Sequence, residues 1–302
     1  MKAVKAYSPA GLSGIFSAYT DPLDPYCKGA RGAGIVLTKG VEVIVEIEEG
    51  KKWSLDTYLN GSKVELGLAK RILQRVLEKG KVEGNYRVTV KQYVKVPIGG
   101  GLGTSGACAL AMAIALGKAL NVKMSYYELA REAHVAEIEE GTGLGTISGL
   151  VVGGVVVVRE PGAPGFDKVD RILVDPGLKV VIGFFSSIDK RVALSKTNIN
   201  KVNELGQKLV SKLVDNPTLE NFINCCRIFT EQAGFVTERV RDAIIKAERT
   251  GAIGASQAMI GETVFALAYR DCAEQVAECL RKLKAKVLVS NIEWGPARLI
   301  EF

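Results

Sequence analysis

The sequence predicts an α+β fold, and three observations carry the prediction. Two segments alternate between apolar and polar residues, as strands with one wet face must. A glycine-rich turn joins the second of them to an alanine-rich helix. The second half then sets short strands among helical stretches in an order that suits antiparallel sheets covered by helices.

In chain order, VEVIVEIEE from Val41 is the first alternating strand and YRVTVKQYVKVP from Tyr86 the second. In the latter, Val88, Val90, Val94 and Val96 share one side and Arg87, Lys91 and Lys95 the other, so both belong to an antiparallel or mixed sheet. Between them Leu66, Ala69, Ile72, Leu73, Val76 and Leu77 recur at helical spacing. After the glycines come a helix over Ser105 to Leu120 and another over Ser125 to Glu139, with Ser125 capping and Glu128 three residues on. Glycines at 141, 143, 145 and 149 break the pattern before an apolar strand, Val155 to Arg159, and PGAPG from Pro161 reads as a joint. A boundary is expected near residue 160, give or take about fifteen residues, dividing 1–160 from 161–302. The second part offers a strand at Lys179 to Ser186 and three helical stretches between Val202 and Arg249. A strand at Thr263 to Tyr269, a helix from Cys272 to Lys284, and strands at Lys286 to Ser290 and Ala297 to Glu301 follow.

Composition excludes several classes. Hydrophobic residues make up 47% of 302, yet the longest apolar run, Ala107 to Leu116, falls short of a membrane span. MKAVKAYSPAG carries no secretion signal, and the six scattered cysteines form no matched metal-ligand pairs, so a cytoplasmic protein with reduced thiols is expected. The net charge of +7 suits nucleic acid, but equally an enzyme that handles phosphates and a carboxylate. Lys and Arg are spread along the chain, which makes nucleic-acid binding the weaker reading, and with no spanning run no membrane partner is expected.

The informative string is PIGGGLGTSGACALAMA from Pro97, five of whose glycines fall within eight residues. Glycine lets a backbone turn its N–H groups onto an anion, and the helix that follows adds the positive end of its dipole. A Walker A loop needs a Lys after its last glycine, whereas Gly103 is followed by Thr104 and Ser105. Gly101, Gly103 and Gly106 match G-x-G-x-x-G, but a dinucleotide fold needs a parallel strand after the helix, and here a second helix follows. A structural glycine turn before a helix is the plainest alternative.

Pro97, Gly101, Leu102, Gly103, Thr104, Ser105 and Ala107 stand as P-x-x-x-G-L-G-[ST]-S-x-A, which resembles the central signature of the GHMP kinases. SPAG at 8–11 and GARGAGIVLTKG at 29–40 fall where that family carries its first motif and a glycine-rich strand. Within the family the chain is most similar to the archaeal pantoate kinases, whose products feed coenzyme A synthesis. That likeness rests on SPAGLSGIF, on Lys28 with Gly32-Ala33-Gly34, on AHVAEIEEGTGLG from Ala133, on VVGGVVVVREPGAPG from Val151 and on SQAMIGETVFAL from Ser256. The chain departs from the pattern at Gly11, where pantoate kinases usually carry His, and at Thr146, where the family carries an acid often proposed as general base. The third motif is reduced to Ser256, Gln257, Ala258, Met259, Ile260 and Gly261.

The resemblance implies a mixed α/β nucleotide-binding domain, an antiparallel α+β domain and an active site between them. ATP phosphates would lie in Pro97, Gly99, Gly100, Gly101, Leu102, Gly103, Thr104, Ser105, Gly106 and Ala107. Ser105 and Glu137 would hold Mg²⁺, a hard cation that favours oxygen ligands. With Thr146 in the acid's place, the acceptor's proton leaves late, to the γ-phosphate or through that hydroxyl; homoserine kinases are thought to work without a carboxylate base. The pantoate carboxylate wants a fixed cation, with Lys28, Arg31 and Arg159 as candidates, and His134, three residues before Glu137, is placed to bond the substrate. Each residue has a plainer reading as helix cap, turn, solvated charge or structural histidine. Other acceptors (homoserine, mevalonate, shikimate), a non-catalytic anion- or nucleic-acid-binding protein, and a homodimer through apolar strand edges all stay open.

Overall fold

The structure, a computed structural model, describes residues 2–187, 198–259 and 261–302. Its first sheet is organised by two long strands, β1 (Lys2–Tyr19) and β2 (Gly29–Glu49), antiparallel from Lys2↔Ile47 to Tyr19↔Gly29, with irregularities between Pro9 and Ala10 and between Ser13 and Ile15. The alternation read from Val41 is real. Val41, Val43, Val45 and Ile47 are buried, while Glu42 and Glu46 face outward to Lys5, Lys95 and Lys91. β3 (Ser54–Leu59), β4 (Ser62–Lys63) and β5 (Tyr86–Val94) extend the sheet, β3 running parallel to β5, so the sheet is mixed.

Helices α1 (Gly67–Gly80), α2 (Thr104–Ala119) and α3 (Tyr126–Glu139) cover one face. Every residue of α2 from Gly106 to Gly117 is buried, which explains its alanines: only small side chains let one helix pack against the sheet and two neighbours at once. α3 starts with the expected reciprocal cap, the Ser125 amide donating to Glu128 Oε2 at 2.6 Å and the Glu128 amide to Ser125 Oγ at 3.3 Å. Its Glu132 and Glu139, with Glu140 just after it, pair with Arg71 and Arg75 of α1. They are therefore tied down, not merely solvated.

After a short α4 (Thr146–Leu150), β6 (Val155–Glu160) pairs with β2, and β7 (Lys168–Ile172) pairs with β6, carrying the first sheet past residue 160. The second sheet runs β11 (Lys286–Asn291), β8 (Lys179–Ser186), β10 (Glu262–Ala268), β9 (Gly254–Gln257), antiparallel throughout. Helices α5 (Ile199–Asp215) and α6 (Leu219–Gln232) lie between the sheets, while α7 (Glu238–Arg249) and α8 (Arg270–Lys282) cover the outer face. β12 (Arg298–Ile300) returns to pair with β1. The fold is α+β in two parts, as expected. Among the described residues no helix is long and apolar enough to cross a membrane.

Candidate active site

Three distant segments meet at the glycine-rich turn. Gly99, Gly101 and Gly103 take left-handed φ values of 77°, 73° and 61°, which a side chain would make costly. Alternate left-handed residues turn successive N–H groups toward one side, the geometry of an anion nest. The Gly11 amide of β1 donates to the Leu102 carbonyl at 3.2 Å, and the Met259 amide donates to the Ser13 carbonyl at 2.9 Å. A Cβ at Gly101 would collide with the Ala258 carbonyl, and one at Gly261 would lie 3.1 Å from the Gly100 carbonyl carbon. The loop is thus clasped between β1 and the segment after β9, and glycine is required by close approach as well as by φ.

Gly103 is the N-cap of α2 and offers no side-chain cap, so the first-turn amides that follow lack an intrahelical acceptor. Thr104 and Ser105 are half-buried and reachable from solvent. Ser105 Oγ donates to the Thr142 carbonyl at 3.5 Å, and Thr142 Oγ1 donates to Glu137 Oε1 at 3.1 Å. Glu137 is 2% exposed. Its Oε2 lies where a Cβ on Gly106 or Gly143 would come within 2.8 or 2.7 Å, so two glycines make room for the carboxylate. Burial, and after it the Glu137 charge, push the neighbouring Cys108 thiol up to about 12. Thr146 closes the group, because a Cβ on Gly103 would sit 2.5 Å from its methyl carbon and one on Gly106 3.2 Å away.

Thr146 and Gly11 also wall a cavity of about 490 Å³ between β1, β2 and the turn after α3. Its body is apolar, with Leu12, Ile15, Leu150 and Val158, and its basic lining residues are Lys28 and Arg31. The structure therefore brings together Ser105, Glu137, Thr146 and the glycine loop, with Lys28 and Arg31 across the adjoining cavity.

Two expected substrate residues lie elsewhere. His134 is 2% exposed, does not line the cavity, and its Nε2–H donates to the Lys28 carbonyl at 2.9 Å. Burial lowers its pKa and holds the ring neutral, the carbonyl bond opposing. Arg159 misses by one residue: Val156 and Val158 of β6 face the cavity, so strand alternation sends Arg159 to the other side. There it lines a separate cavity of about 360 Å³, 3.7 Å from Asp170. Ile260 of the third motif lies outside the described residues. Sequence reasoning gave no site role to Thr142, Gly143, Ser13 or Met259, although each falls in a segment that carried the family resemblance.

The family model of the GHMP kinases N-terminal domain matches residues 67–154, and that of the GHMP kinases C-terminal domain matches 211–286. Pantoate kinase of Methanocaldococcus jannaschii is 31% identical over 276 residues, 91% of this chain and 96% of that protein. Pantoate kinase of Methanospirillum hungatei is 30% identical, covering 98% of this chain and 96% of the other. Among solved structures, a phosphotransferase related to the CoA biosynthesis pathway superposes with a TM-score of 0.90 at 24% identity, covering 100% and 99% of the two chains. Homoserine kinase from Cytophaga hutchinsonii superposes at 0.77 with 19% identity, over 99% and 98%. With relatives that span nearly its full length and a family match in each half, the chain belongs to the GHMP kinases.

Proposed function

We propose that the chain is an ATP-dependent pantoate kinase, transferring the γ-phosphoryl group of ATP to the 4-hydroxyl of pantoate and so producing 4-phosphopantoate for coenzyme A synthesis. One observation carries this reading: Thr146 belongs both to the wall of the glycine loop and to the wall of a cavity lined by Lys28 and Arg31. A small hydroxy acid in that cavity can direct its hydroxyl toward the phosphate cradle and its carboxylate toward the cations. The names of the relatives support the same acceptor.

In this reading the amides of the loop and the first turn of α2 bind the triphosphate, and the dipole of a 16-residue helix adds to their field. Among the described residues no three His, Cys, Asp or Glu side chains cluster as a metal site. Magnesium is held by one or two protein oxygens and completes its shell with phosphate and water. The buried Glu137 carboxylate, given space by Gly106 and Gly143, and the Ser105 hydroxyl one bridge away through Thr142 would hold it. When bound there, the ion would supply charge neutralisation on the phosphates. Thr146, an alcohol in the family's acidic position, orients the acceptor hydroxyl, and the proton leaves late to the transferred group. Alignment then carries the rate, and good positioning supplies roughly 7 to 11 kcal/mol. His134 fixes the backbone of Lys28 and does not touch substrate.

The division of the chain into 1–160 and 161–302 is kept as part of the proposal. An ATP-consuming reaction is also proposed to be cytoplasmic. A homodimer through an exposed sheet edge belongs to the reading; Leu299 on β12 is 43% exposed, and sedimentation that finds only monomer removes it. The deciding test is a panel of pantoate, homoserine, mevalonate and shikimate with Mg·ATP, read by mass spectrometry. Pantoate is expected to gain one phosphate with the highest kcat/KM. Preference for another alcohol, or no transfer, refutes the assignment.

A further inference from the structure

Met259 is held in the left-handed region, with φ 53°. Among the described residues Asn60, Lys81, Asn121 and Lys284 share that conformation, and each has a local reason. Asn60 turns the β3–β4 hairpin, while Lys81, Asn121 and Lys284 follow the ends of α1, α2 and α8. Met259 ends no helix. It lies in the connection from β9 to β10, where glycine or asparagine is the usual left-handed residue. Its amide donates to the Ser13 carbonyl at 2.9 Å, a bond that glycine would make as well. The backbone therefore gives no reason for a methionine, and strain of this kind gathers at functional sites.

The side chain does have a place. Met259 is half-buried and lines the cavity of about 490 Å³, which none of residues 97–107 lines. It nevertheless abuts the glycine loop: a Cβ on Gly101 would come 3.2 Å from Met259 Cβ, just as one on Gly103 would meet the Thr146 methyl. Thr146 and Met259 thus flank the end of the cavity nearest the loop. In pantoate the carbon beside the reacting hydroxymethyl group carries two methyl groups. With the hydroxyl at Thr146, those methyls fall against the wall that flanks it. We propose that Met259 is a specificity-determining residue, its thioether chain packing on the quaternary carbon of a neopentyl-type alcohol. Methionine suits that role, being apolar, unbranched and able to adjust to an irregular surface. The inference rests on the hydroxy-acid reading above and gives the third motif a part in it. It makes the methyl groups, and not the acid alone, a mark by which the acceptor is chosen, because an unmethylated acid leaves that apolar wall uncovered.

The test compares pantoate with the dihydroxybutanoate that lacks its two methyl groups, for the wild type, Met259→Ala, Met259→Gly and Met259→Leu. The wild type is expected to favour pantoate in kcat/KM about 10- to 100-fold, the worth of two buried methyl groups. Met259→Ala raises KM for pantoate about 10-fold and loses most of that preference, and Met259→Leu restores it. Met259→Gly loses the preference too but, freed of the left-handed strain, has a higher urea midpoint than Met259→Ala. It supplies the comparison should the alanine variant not fold. A purely structural Met259, wedged against Gly101, slows both acceptors alike and leaves the preference as it was. That result in a truncated variant overturns the contact and leaves the kinase reading intact, as does a wild type that uses both acids equally. A leucine variant as unselective as the alanine variant overturns it as well. A wild type that phosphorylates neither acid but does phosphorylate homoserine, mevalonate or shikimate overturns both readings.

Discussion

Gly103 is where the geometry of the loop can be tested most sharply. Its φ of 61° costs an L-residue about 1 to 2 kcal/mol. An added Cβ would also lie 2.5 Å from the Thr146 methyl carbon and 2.7 Å from the Gly11 carbonyl oxygen, an overpacking worth about 1 to 3 kcal/mol. Gly103→Ala is therefore expected to lose about 2 to 5 kcal/mol. Gly141 is the control: its φ is 66°, but nothing lies within 4 Å of an added Cβ, so Gly141→Ala loses the conformational part alone. Urea denaturation at constant m reads the difference, and coupled turnover with Mg·ATP and pantoate reads its effect on transfer. Thr146→Ser removes the obstructing methyl and keeps the hydroxyl, so the double variant Gly103→Ala/Thr146→Ser recovers part of the steric loss. Equal losses for the two single alanine variants, or no recovery in the double, refute the argument that Gly103 is held against Thr146.

Three more expectations concern the site and its supports. Ser105→Ala and Glu137→Gln should each reduce kcat by about 100-fold or more while urea midpoints stay near wild type, and near-normal turnover removes the residue from the transfer site. His134→Gln, which keeps an N–H donor for the Lys28 carbonyl, should retain KM for pantoate better than His134→Ala, with KM for ATP unchanged in both; a substrate ligand would lose affinity in both. Burial, together with the hydrogen bond to Glu132, pushes the Tyr26 phenol up to about 12 from 10.0. The folded state keeps that proton longer than the unfolded chain, so stability is full below pH 10.0 and falls as pH rises toward about 12. Tyr26→Phe should flatten that part of the decline, and an unchanged slope in urea titrations across the interval counts against it.

The legibility of the fold tracks how regular each element is. Tyr86 to Val94 and Val41 to Glu49 were readable because one face is buried and the other carries paired charges. β1 was not, because irregularities on either side of Gly11 break the two-residue period and Pro9, Gly11 and Gly14 dilute it. β9 is four residues long, too short for any period to show. The candidate site divides along the same line. Ser105, Glu137 and Thr146 entered through the family resemblance, and the structure brings them together around the glycine loop. Arg159 could not be excluded, since its distance along the chain is right and only the face of β6 is wrong. His134 and Glu137 do share α3, but the helix is buried on more than one side there. Three residues of spacing are enough to send one side chain to the Lys28 backbone and the other to the start of α2.

What the sequence withheld is what the glycines are for, individually. Gly101 is stopped by the Ala258 carbonyl, Gly103 by Thr146 and the Gly11 carbonyl, and Gly106 by Glu137. Each belongs to a different stretch of chain, and no periodicity links any of them to residue 100. A string of glycines announces that backbones approach closely, yet the approaching backbone can be anywhere in the fold. The consequence for catalysis is physical. The spacing between the glycine loop, the Glu137 carboxylate and Thr146 is set by contacts at glycine Cα atoms, which cannot change rotamer, and not by long side chains, which can. A phosphoryl transfer that depends on alignment more than on a general base is served by that arrangement, because in-line geometry tolerates little drift and glycine contacts leave little room for it.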